Sequence, residues 1–139
     1  MPDRIIFDTN VLVSALLMKH STPRKAFSAA LRNSILLASE ETLTELEEVL
    51  RRQKLDKYSR LEDRIYFFRA FIDLVEVVPI TSVIRSCPDP RDNKFLELAA
   101  DGEARFIISG DKDLLKMHPF NGIQILSPTL YLREISDIS

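Results

Sequence analysis

Four acidic residues carry the chemistry this chain is equipped for: Asp8, Glu45, Asp92 and Asp111. They lie far apart in sequence, yet each falls just beyond an apolar, strand-like run or near the start of the helix that follows one. In a parallel α/β fold those positions share one rim of the sheet. Four carboxylates gathered there, expected to have no lysine or histidine of their own among them, repel one another unless a divalent cation occupies the middle. Magnesium takes oxygen ligands, keeps several waters and is typically held by one or two carboxylates plus substrate phosphate, so four acids suit one or two such ions. The spacing predicts a magnesium-dependent site.

Each acid also has a plainer explanation. Asp8, Asp92 and Asp111 each precede a helix, where an aspartate caps free N–H groups and meets the favourable end of the helix dipole. For any one of them that reading stands level with the catalytic one. Jointly it weakens, because capping accounts for neither Glu45 nor the doubled acids Asp89/Asp92 and Asp111/Asp113. Glu47 and Glu48 have arginines four residues on, Arg51 and Arg52, at the spacing of an exposed helical ion pair. Glu45 has none: its fourth neighbours are Glu41 and Val49, so its ionised form is disfavoured unless a cation compensates. Other chemistries find no support, since there is no Cys/His spacing for zinc, no glycine-rich phosphate loop among three glycines, and no Gly-x-Ser-x-Gly elbow. His20 and His118 are isolated in sequence and are expected at the surface.

The elements that must position these acids follow from periodicity and caps. Ile5 to Phe7 reads as a short buried strand ending at Asp8, and Asp8-Thr9-Asn10 offers cap residues for a helix from about Val11 to Met18. A second helix opens at Thr22-Pro23 with Ala26, Phe27, Ala30 and Leu31 inward. Strand two covers Ile35 to Ala38, and Ser39 starts a third helix, with Thr42 where a capping box would want Glu and Glu45 in its second turn. Leu61 to Asp73 reads as a helix, Leu74 to Pro79 as strand three, and Asp92 as the cap of a helix with Phe95, Leu96, Leu98 and Ala99 inward. Phe106 to Ile108 is strand four, Leu114-Leu115 a short helix, Ile123 to Leu126 strand five, and Ser127-Pro128 the start of a closing helix. Short apolar strands alternating with helices indicate an α/β fold, a parallel sheet covered on both faces by right-handed crossovers.

With 139 residues and 45% hydrophobic content, the chain is read as one domain, 1–139, with a real core. A single cysteine, Cys87, excludes an internal disulfide, and no signal-peptide h-region precedes the first strand, so a cytoplasmic location is expected. No apolar run approaches the roughly 20 residues of a membrane helix. The net charge of −2 argues against a nucleic-acid partner only on average. Residues 51–69 carry seven basic side chains (Arg51, Arg52, Lys54, Lys57, Arg60, Arg64, Arg69) against three acidic ones, a local +4 that either guides a phosphate backbone or is a solvated helix face.

At Phe7-Asp8-Thr9-Asn10-Val11-Leu12, Ser39 to Leu50 around Glu45, Asp89-Pro90-Arg91-Asp92-Asn93-Lys94-Phe95 and Ser109-Gly110-Asp111-Lys112-Asp113-Leu114, the sequence resembles the PIN-domain ribonucleases. It is especially similar to the VapC-like toxin components of toxin-antitoxin pairs. Each motif alone is weak; four in this order and spacing are strong, and the likeness spans the chain. The resemblance implies a three-layer domain with a five-stranded parallel sheet in the order 3-2-1-4-5, magnesium or manganese as cofactor, and single-stranded RNA as substrate. It implies Asp8, Glu45, Asp92 and Asp111 as metal-binding catalytic acids, Asn10 and Ser109 as polar supports, and Asp113 as an extra ligand through water. Whether Asp111 or Asp113 faces the ion stays open. A metal-lowered water pKa would then yield a hydroxide for in-line attack, leaving 5′-phosphate and 3′-hydroxyl ends. An antitoxin protein is the implied partner.

Two other readings remain. A non-catalytic RNA- or partner-binding module can use the same fold. A haloacid-dehalogenase-type phosphatase also places an aspartate after strand one, but needs a second two residues on, where this chain has Asn10. In the Leu61 to Asp73 helix, Leu61, Ile65, Phe68 and Ile72 form one apolar stripe and Phe67, Phe71 and Leu74 another. One serves the core; the other suggests a homodimer interface or an antitoxin seat, with burial on both sides the preferred alternative.

Overall fold

The computed structural model describes residues 2–138, apart from the side chains of 137 and 138. Strand β1 (Asp3–Phe7) runs into helix α1 (Thr9–Leu17) and α2 (Thr22–Asn33), then β2 (Ser34–Ala38), α3 (Glu40–Leu50) and α4 (Leu61–Leu74). Strand β3 (Glu76–Val77), α5 (Asn93–Gly102), β4 (Phe106–Ile108), α6 (Lys112–Leu115), β5 (Gln124–Leu126) and α7 (Pro128–Ile138) complete the chain. The five strands form a sheet in the order β3-β2-β1-β4-β5, with every pair parallel. That is the α/β architecture and strand order expected.

Strand side chains alternate between two cores, as the pleat requires. Ile5, Phe7, Leu36, Phe106 and Ile108 face α1, α2, α3 and α7, where Phe27 and Tyr131 meet the Phe7 ring edge-on at centroid distances of 5.7 and 6.4 Å. Ile6, Leu37, Ile107 and Ile125 face the other way, onto Phe95, Leu96, Leu98 and Ala99 of α5. Both faces being covered explains why these strands read as continuous apolar runs.

Local chemistry sets most boundaries. The Ser21 hydroxyl accepts from the Arg24 N–H with Pro23 in the first turn of α2. Thr42 does complete the capping box of α3: its N–H donates to Ser39 Oγ at 3.1 Å, and its hydroxyl oxygen accepts from the Ser39 N–H at 2.9 Å. Strand three is shorter than expected. Helix α4 runs on through Leu74, and the Val75 N–H still donates to Phe71 O, leaving Glu76 and Val77 as the strand, with the Val78 N–H adding a last bond to Ala38 O at 2.8 Å before Pro79.

Burial of α4 also departs from expectation. Phe67 and Phe71 stack toward the core, their centroids 6.1 Å apart, with Phe71 buried. Leu61, Ile72 and Leu74 are exposed, so the helix is not buried on both sides. Arg64 is the largest correction to the basic stretch. Its side chain is fully buried, donating to Leu50 O at 2.6 Å, to Ser59 O, and to Asp56 Oδ1 at 2.7 Å. It meets the last carbonyl of α3 and carbonyls of the turn that follows, and so buried it cannot meet a nucleic acid. Arg51 and Arg60 are paired with Glu47 and Glu62. His20 and His118 are at the surface as expected, and His118 Nδ1 additionally accepts from the Ile125 N–H at 2.9 Å.

Candidate active site

The register of β1 against β4 places Phe7 opposite Ile108, so the next residues of the two strands, Asp8 and Ser109, emerge side by side. The Asp8 N–H donates to Ile108 O at 3.0 Å, and the Ser109 hydroxyl donates to Asp8 Oδ2. The other carboxylate oxygen of Asp8 accepts from the Val11 N–H at 2.9 Å as the cap of α1. Ser109 Oγ also accepts from the Asp111 N–H at 2.9 Å, and Asp111 Oδ1 from the Asp113 N–H at 2.7 Å. Asp8 and Asp111 are therefore helix caps and cleft residues at once; the two readings do not exclude each other.

Glu45 projects from the second turn of α3 and Asp92 from the start of α5, and all four acids line one cleft of about 180 Å3 with Thr9, Asn10, Arg52 and Asp89. Asp92 does not cap α5, contrary to expectation. It makes no side-chain capping bond, and its buried Oδ2 has no hydrogen-bond partner among the described residues. An orphaned buried carboxylate oxygen is costly unless something outside the protein meets it. Asn10 lines the cleft but makes no hydrogen bond to the acids among the described residues, whereas Ser109 orients Asp8 directly.

Electrostatics follow from this crowding. Burial is the first cause pushing Asp8 up to about 6 from the ordinary 3.8, aided by the charges of Asp111 and Glu45 and opposed by the Ser109 and Val11 hydrogen bonds. Asp92 is pushed up to about 7, first by burial and then by the neighbouring carboxylates of Asp111, Asp89 and Asp8.

Lys94 escaped sequence reasoning, and Asp89 was noted there only as the double of Asp92, not as a site residue. Lys94 refutes the expectation of a cluster without its own cation: 8% exposed, its Nζ lies 2.6 Å from Glu45 Oε2 and donates to Arg91 O. Only its place two residues after Asp92 could have flagged it. Asp89 joins Asp92 and Asp113 in a trio whose carboxylate oxygens lie within 4.8 Å of one another, the one such group among the described residues. Its i, i+3 spacing from Asp92 was the visible signal. Asp89 is held below the ordinary carboxylate range, chiefly by its hydrogen bond with Arg91.

Residues 4–113 match the PIN domain family. The chain belongs to that family. A relative in Methanocaldococcus jannaschii, the uncharacterized protein MJ1680, is 32% identical over 120 residues, spanning 85% of this chain and 77% of the relative. Two solved structures share the fold at low identity. A chain of VapBC2 from Rickettsia felis, solved bound to a DNA fragment from their promoter, aligns at 15% identity and a TM-score of 0.59, over 89% of this chain and 97% of that one. PAE2754 from Pyrobaculum aerophilum aligns at 12% identity and a TM-score of 0.63, over 97% and 90%. This PIN domain contains, among its described residues, no helix long and apolar enough to cross a membrane.

Proposed function

We propose that this PIN domain is a divalent-metal-dependent endoribonuclease that hydrolyses phosphodiester bonds of single-stranded RNA, with Asp8, Glu45, Asp92 and Asp111 as its acidic centre and magnesium or manganese as cofactor. The unpartnered, buried Oδ2 of Asp92 carries the reading, because a hard cation is the partner that such an oxygen fits. The upward displacement of Asp8 and Asp92 supports it: both carboxylates lack the counter-charge that would keep them ionised. A divalent ion bound there supplies a water of lowered pKa and offsets charge on the phosphoryl oxygens.

The chain's own residues do the rest. Ser109 and the Val11 N–H fix the Asp8 carboxylate, and Asp111 is set by the Ser109 hydroxyl. Arg52 lines the cleft and has no ion-pair partner among the described residues, which suits a phosphate of the substrate. Beside Asn10 and Asp111 a second cleft of about 390 Å3 opens, lined by Val11, Pro23, Gly110 and Pro128, with room for a nucleotide next to the scissile bond. An unpaired strand can splay a base into such a recess; a duplex cannot. The likeness in fold to a VapBC2 chain motivates a toxin role in the cytoplasm, neutralised by an antitoxin protein. The exposed Leu61, Ile72 and Leu74 on α4 favour a homodimer or an antitoxin seat on that helix.

Purified protein incubated with single-stranded RNA should cut it in magnesium or manganese and stop in excess chelator. Asp92→Asn should lower the rate by about 100-fold or more with an unchanged circular dichroism spectrum. Equal cleavage in chelator, or full activity of Asp92→Asn, defeats the assignment.

A further inference from the structure

We propose that the Lys94 ammonium takes the place of a second divalent cation, so that the acidic cleft binds one metal ion per chain, on the Asp92 side, and Glu45 serves to hold Lys94 rather than the metal. The inference rests on the nuclease reading above and decides a question it left open.

Glu45 is already satisfied by the protein. Its Oε1 accepts from the Thr9 hydroxyl, and its Oε2 faces Lys94 Nζ at 2.6 Å. The lysine is seated as firmly as the glutamate. Its side chain is 8% exposed, its ammonium donates to the Arg91 carbonyl, and it lies 5.5 Å from the centroid of the Phe95 ring. Ammonium is a compact cation whose three donors demand oxygen acceptors, which is what a hard dication would ask of the same groups. A dication brought to Glu45 would meet that fixed positive charge at contact distance and be repelled.

At Asp92 the situation is reversed. Asp92 Oδ2 is buried without a partner, and the carboxylates of Asp89, Asp92 and Asp113 approach one another within 4.8 Å. Asp92 also feels the charges of Asp111, Asp89 and Asp8 with no cation paired to it. The fold thus supplies a cation to Glu45 through Lys94 and to Asp89 through Arg91, and pairs none with Asp92. A single ion beside Asp92 supplies the missing charge.

The test counts manganese. Electron paramagnetic resonance titration of the full chain in chelator-treated buffer should show one Mn2+ per chain for wild type, two for Lys94→Met, and one again for Lys94→Arg. Anomalous scattering from a manganese-soaked crystal of the wild type should give one peak beside Asp92, with Lys94 still on Glu45. Two ions in wild type, a peak that displaces Lys94 from Glu45, or a single ion of unchanged affinity in Lys94→Met overturns the inference. The wild-type count and peak stand even where Lys94→Met fails to fold. Two ions together with RNA cleavage would sink this inference alone, while no bound manganese at all would sink the nuclease reading with it.

Discussion

The Ser109 hydroxyl donates to Asp8 Oδ2 across 101 positions of sequence, because the residues before them, Phe7 and Ile108, are register partners in adjacent parallel strands. Ser109 is fully buried, so the contact is shielded from water and its geometry is imposed by the sheet. One hydroxyl thereby sets two acids, Asp8 as donor and Asp111 as acceptor from its N–H.

Ser109→Ala should accordingly lower RNA cleavage by about 10- to 100-fold, the range seen when groups that orient metal-binding side chains are removed. The fold should also lose about 1–3 kcal/mol, since a buried Asp8 oxygen and the Asp111 N–H are left without their partner, so cleavage is compared at a temperature where the variant is fully folded. Single-turnover cleavage by the variant at the wild-type rate would show that Asp8 needs no such support.

The raised Asp8 and Asp92 make metal-free stability fall with rising pH. Well below pH 3.8 both groups are protonated folded or unfolded, and no penalty exists. Between there and about pH 7 the unfolded chain releases protons that the folded chain still holds, so unfolding gains ground. For the buried Asp8 alone the loss is roughly 3 kcal/mol once it is fully ionised. The carboxylates held low, Asp89, Asp101 and Glu76, act only in acid and leave this window unaffected. Thermal melts in chelator should give a lower midpoint at pH 8 than at pH 5, a flatter profile for Asp92→Asn, and greater rescue by manganese at pH 8. A midpoint that climbs toward pH 8 in chelator would contradict the burial of these charges.

Arg64 makes a different kind of prediction. Its guanidinium serves Leu50 O, Ser59 O and Asp56 from a fully buried position, so Arg64→Ala should destabilise the fold by about 2–4 kcal/mol through orphaned carbonyls. Lysine cannot reproduce the planar fork, so Arg64→Lys should recover less than half of that in denaturant melts. Should Arg64→Ala melt like wild type while losing RNA binding, the residue would belong to the substrate path after all.

Arg52 is the contrasting member of the same basic run, exposed and lining the acidic cleft. Arg52→Ala should weaken binding of single-stranded RNA by about 3- to 10-fold and reduce the slope of log affinity against log salt by about one. Binding unaffected in both respects would remove it from the phosphate path.

Much of the architecture is legible in the sequence because it follows from short-range rules. Apolar runs of three to five residues alternating with capped helices define the parallel sheet, and acids just beyond strand ends must share its rim whatever their separation in sequence. Asp8, Asp92 and Asp111 could be placed in this way, and Glu45 was singled out by lacking a charge partner one turn away. Errors arose where the partner comes from another element. Glu45 has no neighbour of opposite charge on α3, but Lys94 of α5 reaches it across the cleft. Arg64 looks like one more charge on a polar face until the turn over residues 50–60 folds its carbonyls around it. Periodicity and capping depend on a few adjacent residues, so the chain alone determined the strands, the helices and the rim. Pairing of charges depends on distances between packed helices, so only the tertiary structure decided which acids have a cation beside them and which have none.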